Sequence, residues 1–462
     1  MKFNPLIKKL KALLGSQSVI IGEKLNEKYD HIWKMNQPLK AIALILPKNT
    51  KEVSEIMKIC YEKEQEVIIH GGLTNLVGGT ETKSNQLVVS LEKMNKIEEI
   101  DEKSKTATTQ SGVILEDLIN AVSKKDLLLP LNFGAKGSAQ IGGAISTNAG
   151  GLRVLKYGMT RQMVLGLEAV LPDGTIISSL KKIIKDNSGY DLKQLFIGSE
   201  GTLGIVTRVV LKLIEAPTTR YSAIVGIDNY ENVITLLKNL QKGLGGILSG
   251  YELMWKNTFK TMVKKLPSIN SPIDLNYNYY VFIEILGNNK IQDYSLLEKL
   301  IEKAINDKII LDGALAETDK ELKKLWQIRE DISILDANAS FAQHFDISIP
   351  IPLIGEIVDS ISKNLKNLSY VKNIYTWGHV ADGNIHFIIG KKTNSFKIID
   401  KINQIVYDPL KKNYGSISAE HGIGLHKKNY LRKSRSNEEI HLMKRIKNLF
   451  DPKLILNPGR II

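Results

Sequence analysis

The apolar positions of this chain change period several times, and each change marks an element. Residues 41–46, Ala-Ile-Ala-Leu-Ile-Leu, form an unbroken apolar run closed by Pro47, which predicts a buried strand. Asn49 or Thr50 can then cap a helix in which Val53, Ile56, Met57 and Cys60 recur at helical spacing. A second run, Val67-Ile68-Ile69, leads into His70-Gly71-Gly72-Leu73-Thr74-Asn75-Leu76-Val77-Gly78-Gly79. Further strands are expected over 86–91 and 105–111, and a helix over 113–125 with Leu115, Leu118, Ile119 and Val122 on one face. Val164 to Leu171 and Thr175 to Ser178 flank Pro172-Asp173-Gly174 and predict a hairpin, and residues 205–213 alternate as a strand.

After Ala216-Pro217 the glycine clusters thin out. Strands are expected over 221–227 and 279–286, and helices over 230–241 and 292–306, an α+β pattern. Residues 319–334 read as one helix, with Arg329 and Ser333 one turn apart on the same face. Ser436-x-x-Glu439 is a capping box opening a last helix, whose apolar face would be Leu442, Ile446, Leu449 and Phe450. These shifts predict a first domain at 1–216, a second at 217–410 and a C-terminal segment at 411–462.

At 462 residues the chain is long enough for two or three domains. Its net charge of +14 comes mostly from scattered lysines, since only nine of the 63 basic residues are arginine. No basic block is interleaved with aromatics, which argues against a nucleic-acid surface. The charge suits steering of anionic substrates, or loose attraction to an anionic membrane face. No stretch approaches the ~20 apolar residues of a membrane span. The basic start, Met1 to Leu14, lacks the apolar core and cleavage site of a secretory signal. The single cysteine, Cys60, falls on an apolar helix face and fits a reducing cytoplasm.

Two kinds of candidate chemistry stand out. The first is glycine. Residues 134–151 contain Gly142-Gly143 and Gly150-Gly151 around Ala-Ile-Ser-Thr-Asn-Ala, and nothing larger than isoleucine from Ile141 to Gly151. Such a stretch lets backbone approach a ligand closely, with N–H groups open to an anion. The loop after Ile69 has the same character, yet neither usual nucleotide motif, G-x-G-x-x-G nor G-x-x-x-x-G-K-[ST], is present.

The second is histidine. In Ile374 to Ile389, Asp382-Gly383 lies between apolar runs, a strong hairpin signal. If those are the two turn residues, 379 pairs with 386, and His379 and His386 stand opposite with Cβ atoms ~5 Å apart, fit to share a divalent ion. Glu420, in Gly415 to Gly424, can complete a His-His-carboxylate site with open positions. Its neighbour His421 would point the other way along an extended segment, free to act as a base.

These motifs together resemble the FAD-binding enzymes of vanillyl-alcohol-oxidase type, and among them the dehydrogenases of D-2-hydroxy acids, over nearly the whole chain. The resemblance implies an α+β fold: a two-part FAD-binding domain, an α+β substrate domain and a C-terminal segment returning to the flavin. It implies that His70, Gly71, Gly72, Leu73, Thr74, Asn75, Leu76 and Gly78 flank the FAD pyrophosphate, with Leu73 where relatives often carry glycine. It implies further cofactor contacts from Gly134, Ser138, Gly142, Gly143, Ser146, Asn148, Gly150, Gly151, Tyr157, Gly158, Glu200, Gly204, Ile205, Val206 and Asn457. His70 precedes the glycines, so non-covalent FAD is expected.

The pattern Trp326-x-x-Arg329-Glu330 is similar to the family's substrate-carboxylate arginine, with Ser333 and His344 as further substrate residues. His344 stands where dicarboxylate-binding relatives often have lysine, and Ile388 where relatives have asparagine. The implied metal ligands are His379, His386 and Glu420, with Zn²⁺ ahead of Mn²⁺, and the implied base is His421. The expected activity is oxidation of a small anionic D-2-hydroxy acid, of D-2-hydroxyglutarate or D-lactate type, to the 2-oxo acid. Hydride would pass to the flavin and then to an unidentified electron acceptor. The alternatives are a glycolate oxidase FAD subunit or a non-catalytic flavin subunit of a larger complex. A homodimer or partner subunits are both compatible with the sequence.

Overall fold

The computed structural model describes residues 5–462 and divides the chain into two compact units. The first takes the described residues up to Gly150 together with Met159–Ala216 and Glu420–Ile462. The second takes Gly151–Gly158 and Pro217–Ala419. The expected division at 216 and 410 misses two exchanges. Gly151–Gly158 joins the second unit because Leu152 enters its core and Arg153 pairs with the buried Glu284, Nε to Oε1 at 3.2 Å. Residues 411–419 stay there because Ser416 pairs with Ser348 through two backbone hydrogen bonds, 2.8 and 2.9 Å.

In the first unit, Ala43–Ile45, Leu87–Ser90 and Val67–His70 lie parallel, with Val19–Ile20 antiparallel at the edge. The helix Thr50–Glu62 follows Asn49, whose side chain accepts the Glu52 N–H. It buries Val53, Ile56, Met57 and Cys60 in a core with Val67 and Val89. Burial raises the Cys60 thiol to about 12, so it packs as a small apolar residue. A second, antiparallel sheet of five strands runs Ile97–Asp101, Thr106–Gln110, Ile205–Lys212, Val164–Val170, Ile176–Ser179.

The last helix, Asn437–Phe450, opens with both bonds of the Ser436/Glu439 capping box. Half of its expected apolar face is exposed, at Leu442 and Leu449, whereas Ile446 and Phe450 are half-buried and Phe450 lies edge-on to Phe196, ring centroids 6.0 Å apart. The residue it buries is Lys447, whose Nζ donates to Asp451 Oδ2, Thr202 O and Leu456 O at 2.6, 2.8 and 2.8 Å. A fully satisfied ammonium staples this helix where apolar packing was expected.

The second unit is a seven-stranded antiparallel sheet. Its order is Asp312–Leu315, Thr219–Ile227, Tyr279–Gly287, Leu248–Trp255, Val371–His379, Asn384–Lys391, Gln343–Ser348. One face packs Trp377, Tyr375, Ile388 and Met254 against the helices Lys256–Lys265 and Asp319–Glu330. Thr318 and Glu321 form a capping box at the start of the latter helix. The expected single helix over 319–334 breaks at Asp331, whose backbone leaves the helical region, and a separate helix Ser333–Asn338 begins. Ser333 Oγ donates to Asp331 Oδ1 at 2.8 Å, a local bond that competes with continued helix.

Candidate active site

The loop after Val67–His70 keeps its backbone donors free. Among the described residues no acceptor faces any N–H from Gly71 to Leu76. Its carbonyls are used instead: Leu73 O accepts the Ile32 N–H at 3.1 Å, and His31 Nε2 is hydrogen-bonded to Asn75 O. Asn75 closes the loop, its Oδ1 accepting the Gly79 N–H at 2.8 Å and its Nδ2 donating to Thr80 Oγ1 at 2.6 Å. Six consecutive N–H groups without an acceptor are the kind of donor run that suits a pyrophosphate. Gly72 is required by contact, since a Cβ there would lie 2.0 Å from Ser138 O. Leu73 adopts φ 57°, a left-handed position that suits glycine better than leucine.

Next to this loop runs the short helix Ile141–Ser146. A Cβ on Gly142 would strike Ser111 Cβ at 2.6 Å, whereas beside Gly143 there is open space. Gln140 Oε1 is buried without a hydrogen-bond partner and lies 3.6 Å from where a Gly71 Cβ would be. An orphaned acceptor between two glycine loops fits a cofactor hydroxyl or N–H. Sequence reasoning passed over Gln140, because one amide among many carries no pattern.

The other expected cofactor residues divide into groups. Asn148 Oδ1 accepts the Arg161 N–H at 2.9 Å. Gly78 faces His426, whose Nε2 would be 2.6 Å from a Cβ. Gly204 abuts Phe196, while Ile205 and Val206 are buried in a sheet strand. Gly134 is open on its Cβ side. Asn457 spans the unit, its Oδ1 accepting the Ile69 N–H and its Nδ2 donating to Glu200 O, both at 2.9 Å. Ser146 O accepts the Glu200 N–H at 2.7 Å. Gly151, Tyr157 and Gly158 belong to the second unit. His70 is buried, with Nε2 2.9 Å from Thr80 O, and burial pushes its pKa down to about 4.

In the second unit the hairpin carries a different register from the expected one. Val380–Asp382 is a 3₁₀ turn followed by Gly383 at φ 86°, so four residues leave the ladder. His379 pairs with Asn384, and His386 pairs with Trp377. The third strand fixes this choice: the Ile349 N–H donates to Gly383 O at 2.9 Å, and Asn384 Nδ2 donates to Asp346 Oδ1 at 2.8 Å. The slip is two residues in total, so both histidines keep one face. They meet diagonally, with ring centroids 5.4 Å apart and planes at 84°.

Glu252 binds this cluster together. Its Oε1 lies 2.6 Å from His379 Nδ1, and its Oε2 accepts from Arg329 Nη2 at 2.5 Å. Burial opposes its charge, but His379 and Arg329 outweigh that and hold the carboxyl below its ordinary value. Arg329 is buried, and its Nε has no partner among the described residues. Asp346 is also buried: its Oδ1 is 3.7 Å from His386 Nδ1, and its Oδ2 accepts from the Ala419 N–H at 3.1 Å and Ser418 Oγ at 3.2 Å. Asp382 at the turn is raised to about 6, chiefly by burial. Glu252 and Asp346 lie far from the histidines in sequence and show no motif of their own.

Of the remaining expected residues, Ser333 and His344 have partners outside this cluster. Ser333 is exposed. His344 Nε2 is paired at 2.7 Å with the exposed Asp336. Glu420 lies in the first unit, where its Oε1 would be 2.7 Å from a Cβ on Gly150, and His421 follows it.

Residues 41–179 match the family described as FAD binding domain, and residues 216–461 the family described as FAD linked oxidases, C-terminal domain. The D-2-hydroxyglutarate dehydrogenase, mitochondrial, of Arabidopsis thaliana is 37% identical over 98% of this chain and 80% of its own. That of Danio rerio is 38% identical over 91% and 78%. A Schizosaccharomyces pombe protein with the provisional name of mitochondrial D-lactate dehydrogenase is 39% identical over 93% and 83%. Substrate-bound p-cresol methylhydroxylase shares the fold, with TM-score 0.77 at 16% identity, over 99% of this chain and 96% of that one. No helix among the described residues is long and apolar enough to cross a membrane. With a free-donor loop where the FAD binding domain matches and the C-terminal match spanning more than half its length, the chain belongs to the FAD-linked oxidases.

Proposed function

We propose that this FAD-dependent oxidoreductase oxidises the C2 hydroxyl of a D-2-hydroxy acid to the 2-oxo acid. One observation carries the reading: Glu252 holds Arg329 with one oxygen and His379 with the other. A carboxylate-binding cation and an imidazole for hydroxyl chemistry are thereby spaced by a single carboxylate. A 2-hydroxy acid has the matching arrangement, its carboxylate and hydroxyl on adjacent carbons. The names of the D-2-hydroxyglutarate and D-lactate dehydrogenase relatives point the same way.

FAD, when bound, supplies the acceptor for the α-hydrogen and its electron pair. Arg329 offers its unpartnered Nε to the substrate carboxylate. Glu252 on Nδ1 of His379 orients the ring, and Nε2 is the atom it would offer to an ion. His379, His386 and Glu420 would hold a divalent ion, Zn²⁺ ahead of Mn²⁺, that polarises the hydroxyl. His421 takes the hydroxyl proton. His70, engaged with Thr80 O, leaves the flavin non-covalently bound.

The test is to mix purified protein anaerobically with D-2-hydroxyglutarate, D-lactate and glycolate and follow the flavin absorbance. Bleaching by at least one D-2-hydroxy acid is expected. Chelation should suppress it and Zn²⁺ or Mn²⁺ restore it. His386→Ala should lose ion and turnover together, whereas His421→Ala should keep the ion and lose turnover. A flavin that none of the acids reduces would refute the reading.

A further inference from the structure

Glu200 stands at a junction within the first unit. It adopts a left-handed backbone (φ 51°), with its N–H on Ser146 O and its carbonyl on Asn457 Nδ2. Its carboxylate turns elsewhere: Oε1 accepts the Ile423 N–H at 2.6 Å and Oε2 the Gly424 N–H at 2.8 Å. Two charge-assisted bonds to successive N–H groups make a rigid anchor. Gly422, at φ 84°, allows the approach, since a Cβ there would lie 2.7 Å from Glu200 Oε1. The same turn is held on its other side. Leu425 and His426 both donate to Val77 O, at 2.9 and 3.1 Å, and Ile461 donates to Gly424 O at 3.1 Å. The segment that begins with Glu420 and His421 is therefore gripped between Glu200 and the cofactor loop.

The geometry points to Glu200 as a positioning residue that sets the Glu420-His421 dipeptide against the cofactor loop without touching cofactor or substrate. The motif Gly198 to Gly204 suggested a cofactor contact for it; in the structure each carboxylate oxygen accepts an N–H of the turn. The inference rests on the reading of His421 as the base. Its consequence is distinctive. Loosening the anchor should slow turnover while leaving FAD and substrate binding alone, because neither ligand is held by this carboxylate.

The test compares Glu200→Gln, Gly422→Ala and His421→Ala in the FAD-loaded full chain. Glutamine keeps one acceptor but turns an NH₂ toward a backbone N–H. Its kcat should fall roughly 10- to 100-fold, the scale of one lost charge-assisted bond. KM and FAD affinity should stay within about twofold on the same argument. Amide exchange in a peptide spanning 420–426 should accelerate, while exchange in the sheet strand Val67–His70 should not. Gly422→Ala should reproduce this pattern from the opposite side of the contact. Unchanged kcat and exchange in Glu200→Gln would overturn the inference. So would a parallel loss of FAD and thermal stability, which marks a purely structural residue. Full activity of His421→Ala would sink the base assignment by itself, and the exchange data would still decide whether Glu200 holds the turn.

Discussion

The loop from Gly71 to Leu76 and the sheet end around His379 and His386 both gather polar groups, by opposite means. The loop offers backbone N–H groups, and its side chains serve mainly to keep the path clear or tied down. The sheet end offers side chains, each held by another side chain: His379 and Arg329 by Glu252, Asn384 by Asp346. A backbone site depends on small residues that are visible as glycines in the sequence. A side-chain site depends on register and on distant partners, which the sequence shows only in part. The first should therefore fail abruptly at single glycines, and the second by degrees as charges and hydrogen bonds are removed.

The largest effect is expected at Gly72. A methyl group there would meet Ser138 O at 2.0 Å and Ala139 Cα at 2.8 Å, both backbone and unable to yield. Gly72→Ala should weaken FAD binding by on the order of 4 kcal/mol, about 1000-fold, as a clash with fixed backbone. Flavin titration of the apoprotein measures it. Normal FAD affinity would show that the loop is not a backbone cradle.

Glu252→Gln comes next. It leaves a buried guanidinium without its counter-charge, a loss of about 3 kcal/mol in unfolding free energy by denaturant titration. Ion content should fall with it, because His379 loses the partner that orients its ring. If stability and ion content both hold, the sheet end is not organised through this carboxylate. This residue also marks the limit of what was legible. Strand and helix positions, the glycine loops, Arg329 and both histidines could be read from period, composition and motif. Glu252 could not, since it sits 77 residues from one partner and 127 from the other. The hairpin register was misread for a related reason: Asp382-Gly383 suggested a two-residue turn, but a third strand, bonded to Gly383 and Asn384, decides how many residues leave the ladder. Only the leucines of the last helix were misread: Leu442 and Leu449 are exposed, and a lysine with three acceptors is the residue the helix buries.

Arg329→Lys keeps the charge and loses the planar fork. We expect kcat/KM to fall by about 2–3 kcal/mol, one charge-assisted contact, with the flavin spectrum unchanged. Wild-type kinetics on every oxidised acid would remove Arg329 from the substrate site.

His70 tests the first region through pH. It is ordinarily protonated near 6.5, but burial holds it near 4 in the folded chain. Below pH 6.5 the unfolded chain binds a proton that the folded one refuses, so stability falls as pH drops from about 6.5 to about 4. At pH 5 the contribution is about 2 kcal/mol. His70→Gln removes the titrating group, and its amide can still donate to Thr80 O. Its unfolding free energy should drop less than wild type between pH 7 and pH 5, by about that amount. Parallel curves for the two proteins would mean that His70 is not held neutral by burial.

The smallest effect is expected at Ser333, and it separates pattern from position. The spacing Arg329-x-x-x-Ser333 suggests one helix face and a shared substrate. The helix stops at Asp331 instead, and Ser333 begins the next one, exposed and bonded to Asp331. Arg329 is buried and reaches Glu252, so the two side chains have different surroundings. Removing the Ser333 hydroxyl costs one exposed local hydrogen bond and leaves the Glu252 cluster intact. Ser333→Ala should change kcat/KM by less than about 0.5 kcal/mol, the range of surface substitutions. A larger loss confined to KM would mean that Ser333 reaches the substrate, and that the helix runs on past Asp331 when substrate is bound.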